Sequence, residues 1–182
     1  MKVMTKTIFL AGGCFWGAQH YLKQINGVLE TETGFANGHT SEDEGGIVTD
    51  RPTYEEVYTD RTGYAEAVRV VYDDEVLPLR KLLELYFLSI EPTAVNRQGE
   101  DEGTRYRTGI YYIDPVDRLV INEVYRQVQH GYSSPLAVEV EPLKIFFPAD
   151  ESHQDYLDKH PDGYCHLPQA LFEVARRANR KV

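Results

Sequence analysis

Apolar positions along the chain alternate in some stretches and recur at helical spacing in others, and the two periods mark out its elements. Residues 5–11, TKTIFLA, predict a buried strand, and Gly12 and Gly13 a turn. A helix is predicted from about Cys14 to Ile25, with Gly27 as its stop. VLETETGFA (28–36) alternates β-branched with polar residues and predicts a second strand. Residues 37–52 are polar and glycine-rich and read as an exposed loop. AEAVRVVYD (65–73) predicts a strand with Val68, Val70 and Tyr72 on one face. Residues 78–90 predict an amphipathic helix with Pro78 near its first turn. A polar loop (91–105), a strand (106–113) and a helix (115–130) closed by Gly131 follow. Residues 136–147 contain a strand interrupted by Pro142, and helices at 150–159 and 168–180 finish the chain. Strands and helices mix without strict alternation, which favours an α+β two-layer sandwich over a doubly wound sheet. No repeat, low-complexity tract or linker divides residues 1–182, so one domain is expected, with the segment from about 160 to 182 as its C-terminal part.

Composition narrows the classes of function. With 42% hydrophobic and 26% charged residues, the chain reads as a soluble globular protein. A net charge of −10 argues against binding to nucleic acid or anionic membrane, which needs a basic face. The basic stretch ARRANRK (175–181) is too short to reverse this and suits a helix C-terminus. Lys2 and Lys6 precede a short apolar run, but it is too brief for a signal peptide, and no stretch is long and apolar enough to span a bilayer. Two cysteines are too few for a disulfide scaffold, so a cytoplasmic location and specific thiol chemistry are expected.

That chemistry points to residues 12–17, GGCFWG. Two glycines before a cysteine let the backbone turn sharply and approach a ligand closely. A cysteine at a helix start lies near unpaired N–H groups and the positive dipole end, which predicts a stabilised thiolate. Phe15 and the only tryptophan, Trp16, then supply an apolar wall beside the sulfur. The other reading is a structural cysteine buried among core aromatics. Cys165 lies in HPDGYCHLP, a segment whose prolines and glycine predict flexibility. A reactive cysteine with a flexible second one fits a thiol that is oxidised to sulfenic acid and then resolved as a disulfide; an unpaired surface cysteine is the alternative. The six histidines show no zinc-motif spacing with the cysteines, and no metal is expected.

GGCFWG (12–17), PTYEEV (52–57), TGYAEAV (62–68), EPTAVNRQGEDEGTRYR (91–107) and ESHQDYL (151–157) together resemble the A class of peptide methionine sulfoxide reductases, over roughly residues 5–165. The resemblance implies an α+β sandwich related to ferredoxin-like folds, and reduction of the S epimer of methionine sulfoxide, free or in proteins. By position it implies Cys14 as nucleophile and Glu66 as the acid that protonates the sulfoxide oxygen. Tyr54 and Tyr106 would hydrogen-bond that oxygen, with Asp101 in the same polar site. Phe15 and Trp16 would hold the methyl group, and Cys165 would resolve the sulfenic acid as a Cys14–Cys165 disulfide that thioredoxin reduces. No bound cofactor is implied, and nothing demands more than a monomer.

The chain departs from the family pattern at Tyr64, Gln19, Phe35 and Arg51, and residues 41–50 look like an insertion before Tyr54. Without the resemblance, Glu66 reads as a surface glutamate, Tyr54 and Tyr106 as two of thirteen filler tyrosines, and Asp101 as part of a solvated charge run. Two competing classes fit parts of the pattern. A cysteine hydrolase would need His153 or His130 as base and would not need Cys165. A peptide-binding module would keep its affinity when Cys14 is replaced by alanine.

Overall fold

The structure is a computed structural model, and it describes residues 4–39 and 46–180. The first half of the expected insertion at 41–50, residues 41–45, therefore lies outside the described residues. Its end is tied down: Ile47 N–H donates to the Arg61 carbonyl at 2.8 Å, and the Tyr64 hydroxyl to the Thr49 carbonyl at 2.6 Å.

The chain folds as α+β around a mixed sheet. Its strands are β1 (Thr5–Gly12), β2 (Val28–Ala36), β3 (Ala65–Asp73), β6 (Thr108–Tyr112), β7 (Glu139–Pro142) and β8 (Phe146–Pro148). They lie in the order β7-β6-β1-β3-β2-β8. Only β6–β7 is parallel; the other pairings are antiparallel, with Leu10 opposite Val68 and Phe35 opposite Glu66. A two-residue hairpin, β4 (Arg97–Gln98) with β5 (Asp101–Glu102), stands apart. The helices are α1 (Phe15–Leu22), α2 (Tyr54–Tyr58), α3 (Leu79–Leu88), α4 (Asp117–His130), α5 (Tyr156–Lys159) and α6 (Gln169–Arg177).

Alternation along the strands sorts the core into two faces. Ile8, Leu10, Val68, Val70, Tyr72, Ile110 and Tyr112 share the large core with residues of α1, α3, α4 and α6. Phe9, Ala11, Ala65, Ala67 and Tyr111 form a smaller cluster on the other face, covered by Leu143 and Phe146. Buried hydroxyls fix α3 to β1 and α1 to α3. The Tyr86 hydroxyl on α3 reaches the Ala11 carbonyl at 2.6 Å, and the Tyr21 hydroxyl on α1 the Leu85 carbonyl at 2.5 Å. Both rings are fully buried, so these bonds hold the end of β1 rigidly beneath the turn that follows.

Several expected elements change. The interrupted strand over 136–147 is two strands, β7 and β8, on opposite edges of the sheet, because the chain crosses over after Pro142. The helix expected at 150–159 breaks into a 3-10 turn (Glu151–His153) and α5. Asp155 between them has φ 49°, and the Gln154 side chain is taken up by the backbone of Thr33 and Ala149. The loops hide two short elements, the β4–β5 hairpin and α2. Helix α2 starts at a reciprocal capping box between Thr53 and Glu56.

Candidate active site

Cys14 caps the N-terminus of α1, and the turn before it forces that placement. Gly13 has φ +84°, and a β-carbon there would also meet the Gln98 side chain. The Ala18 N–H closes the first helical bond onto the Cys14 carbonyl at 3.3 Å. The next free donor, the N–H of Phe15, gives its hydrogen to Glu66 Oε1 at 3.1 Å. Glu66 lies on β3 in phase with Val68, Val70 and Tyr72, so it points into the large core and is 2% exposed. The start of the helix thus brings the buried thiol and the buried carboxyl together.

Burial governs both groups. Removed from water, the Glu66 carboxyl is pushed up to about 8; the Phe15 N–H and Arg105 pull it down, and Asp101 and Asp60 push it up again. The thiolate expected at Cys14 is corrected here. Burial raises its thiol well above the ordinary value, Glu66 adds to the rise, and the N–H groups of Trp16 and Gly17 do not offset them. Near neutral pH, therefore, Cys14 is a neutral thiol and Glu66 a neutral carboxyl. The helix end acts on both, but desolvation is the larger effect.

The two tyrosines arrive from separate elements. Tyr54 opens α2, and Tyr106 ends the 3-10 turn Thr104–Tyr106. Burial and then Glu66 raise both phenols, Tyr106 to about 12, so each stays a hydrogen-bond donor. Arg105 lies over the Tyr106 ring at 4.4 Å and the Tyr58 ring at 4.2 Å while pairing with Asp60 at 2.8 Å. This clamp orients Tyr106. Asp101 sits on β5, near enough to raise the Cys14 and Glu66 pKa values, and accepts a hydrogen bond from the Tyr164 hydroxyl at 2.9 Å. The reading of Asp101 as a solvated loop residue is replaced by a half-buried one in a hairpin.

The apolar wall is larger than Phe15 and Trp16. Phe15 is 1% exposed and packs on Phe35 and His153, so it backs the wall from within. Trp16 is half-buried and stacks on Tyr156, with ring centres 3.7 Å apart. Its Nε1–H donates to His153 Nδ1 at 3.2 Å, and the His153 ring stacks on Tyr54 at 4.4 Å. An indole can only donate, so His153 Nδ1 accepts and carries no proton. Burial also lowers the His153 pKa, which favours that neutral form. Sequence reading gave His153 a role only as a base of the competing hydrolase and passed over Tyr156 and Tyr164; the signal for the first two was their common segment after residue 150.

Cys165 also differs from expectation. It is half-buried against the core, with its sulfur accepting the Leu167 N–H at 3.4 Å. It lies over Gly17, one helical turn from Cys14, where a β-carbon would stand 3.0 Å from its Sγ. Both cysteines are free. Among the described residues, no group of three or more His, Cys, Asp or Glu could hold a metal ion, and no helix is long and apolar enough to cross a membrane.

Holding Glu66 in the core has a measurable consequence for stability. Its folded pKa, about 8, exceeds the unfolded value of roughly 4.3. Its contribution to stability is fully present below the unfolded value and is lost as pH rises through the folded one. Glu66→Gln should therefore melt progressively higher than the wild type as pH rises from 5 to 8. Each kcal/mol recovered corresponds to roughly 2–4 °C. Thermal melts at three pH values test this, and a difference independent of pH would overturn it.

A buried thiol and a protonated carboxyl at one helix end, flanked by phenol donors and an aromatic wall, define a site suited to thiol chemistry. A family model described as peptide methionine sulfoxide reductase matches residues 6–181, and the chain belongs to that family. A relative from Lachnoclostridium phytofermentans named peptide methionine sulfoxide reductase MsrA is 50% identical over 175 residues, 96% of this chain and 100% of its own length. The solved structure of reduced Mxr1 from Saccharomyces cerevisiae matches with a TM-score of 0.80 at 35% identity, covering 88% of each chain. Mxr1 in complex with Trx2 matches with a TM-score of 0.56 at 25% identity, covering 86% of this chain and 89% of that one.

Proposed function

We propose that this protein reduces the S epimer of methionine sulfoxide, free or in a polypeptide, to methionine. One observation carries the reading: Glu66, protonated up to about pH 8, meets the helix end that Cys14 caps. A sulfoxide sulfur is a poor electrophile until its oxygen is protonated. Glu66 gives that oxygen its proton, Cys14 attacks the sulfur, and the thiol proton returns to the carboxylate. The hydroxyl then passes from the methionine sulfur to Cys14 as the bond between the two sulfurs breaks, so methionine leaves and Cys14 becomes a sulfenic acid. Tyr54 and Tyr106 donate to the oxygen as charge develops on it. Trp16, backed by Phe15, seats the methyl group, and Asp101 with Tyr164 closes the polar side. Cys165 then attacks Cys14, expels water and leaves a disulfide for thioredoxin. The match to a Trx2-bound relative supports that partner.

The strand order β6-β1-β3-β2, with α1 joining β1 to β2, supports a ferredoxin-like reading of the fold. We read the chain as one catalytic domain acting as a cytoplasmic monomer without a bound cofactor, in keeping with two free cysteines. The hydrolase reading is weaker, since His153 Nδ1 is taken by Trp16 and His130 ends α4 on the surface.

The testing experiment mixes reduced protein with the separate S and R epimers and no external reductant. One methionine per protein from the S epimer alone, with two thiols lost, is the expected result; no methionine from either removes the reading. Cys165→Ser should still give that one methionine but lose thioredoxin-driven turnover. Full turnover in that variant would remove the resolving role.

A further inference from the structure

We propose that His166 is the base that accepts the Cys165 thiol proton as Cys165 closes the disulfide with Cys14. The inference rests on the reading of Cys165 as the resolving thiol, and it assigns a role to a half-buried side chain the first half-reaction does not use. His166 Nε2 lies 3.0 Å from the Gly12 carbonyl. A carbonyl can only accept, so Nε2 carries the hydrogen and Nδ1 of the neutral ring presents a lone pair. That Nδ1 is buried and has no hydrogen-bond partner. A polar atom left so is costly, and such atoms call for an explanation.

The glycines around Cys14 fix where the lone pair sits. A β-carbon at Gly17 would stand 3.0 Å from His166 Nδ1 and 3.0 Å from Cys165 Sγ. The two atoms are therefore no more than 6.0 Å apart, on the turn of α1 that Cys14 caps. A β-carbon at Gly13 would meet Nε2 of the same ring at 3.1 Å. The imidazole is thus held across both glycines flanking the nucleophile, and its open nitrogen is on the side of the second thiol.

The thiol in question needs such help. Burial raises the Cys165 pKa, and the Leu167 N–H lowers it less. Little thiolate exists near neutral pH, and the thiolate is what attacks. Burial lowers the His166 pKa, keeping the lone pair free, while the Gly12 carbonyl and Asp101 act in the opposite sense. Asp101 on β5 is the charged group that acts on the ring, Cys165 Sγ faces the same point of Gly17, and Gln98, which shares the Gly13 side with the ring, is neutral. In the step itself, the proton of Cys165 moves to Nδ1 and a Cys165–Cys14 S–S bond forms. The S–O bond of the sulfenic acid breaks, and the oxygen leaves as water with the proton that His166 returns. No external oxidant or reductant enters.

The test is His166→Gln in the full chain, because glutamine can keep the N–H donor to Gly12 but offers no base. Reduced protein is mixed with one equivalent of the S epimer without reductant. Samples are quenched in acid over pH 6–9, and methionine and thiols are counted separately. The expected result is a completed burst of methionine followed by disulfide closure slowed about 10²-fold near neutral pH. The sulfenic acid should persist long enough to be trapped by a dimedone-type nucleophile. Closure in the variant should rise about tenfold per pH unit, whereas wild-type closure levels off once the imidazole is neutral. Closure in the variant at the wild-type rate would overturn the proposal. So would wild-type closure rising log-linearly to pH 9, which needs no variant. Cys165→Ser run alongside separates the two readings: if it still loses two thiols, the resolving assignment fails, whatever His166 does.

Discussion

Cys14→Ser abolishes methionine formation from the S epimer, with an expected loss of order 10⁴-fold or more in the single-turnover rate. The chemistry requires an atom that can attack sulfur and then hold its oxygen. A serine hydroxyl is nearly isosteric but far less nucleophilic, and its oxygen cannot become a sulfenic acid. The change should leave the fold intact, since Cys14 makes its helical contact through its backbone carbonyl. The buried hydroxyl costs about 1–3 kcal/mol if unpaired. Rapid-quench counting of methionine, with a thermal melt as control, reads both effects. Methionine formed at even a tenth of the wild-type rate would move the nucleophile elsewhere.

Glu66→Gln gives the second large effect, a fall of about 10²–10⁴-fold in the rate of the first methionine. Glutamine can still accept the Phe15 N–H, so the helix end keeps its partner and only the proton is lost. The pH profile makes the assignment sharper. Both Cys14 and Glu66 carry a proton in the reactive form, because the thiol proton replaces the one the carboxyl gives up. The wild-type rate is therefore level below about pH 8 and falls as pH rises through it, where Glu66 ionises. The fall disappears in the glutamine variant. A wild-type rate that climbs toward pH 8 and then levels off would instead identify a pre-formed thiolate as the attacking species. The same substitution is the one expected to raise stability, so the variant trades activity for stability, as active-site groups held against their solvation commonly do.

Much of the site was legible one residue at a time. The strand, the paired glycines and the helix start placed Cys14 without reference to any other protein, because local backbone geometry decides them. The period of two along β3 located Val68, Val70 and Tyr72 on the core face. Carried two residues back, that period also reaches Glu66, which composition alone assigned to the surface. The capping box of Thr53 and Glu56, a signal the sequence reading did not use, marks α2 and hence the position of Tyr54. Asp101 was the harder case. Its charged neighbours point to solvent, and only the turn that pairs Gln98 with Asp101 brings it under Tyr164.

The sequence by itself determined the longer strands and helices, the core face of β3, and the cysteine at a helix mouth, since periodicity and turn chemistry act over a few residues. Tertiary structure alone decided the meetings across long separations: Glu66 on the Phe15 N–H, His153 and Tyr156 against Trp16, Cys165 and His166 over Gly17. It also decided the protonation states. A neutral thiol and a neutral carboxyl follow from how much water the surrounding core removes, and that burial is built from segments distant in the chain, from β1 and α1 to β3 and the Asp101–Arg105 region.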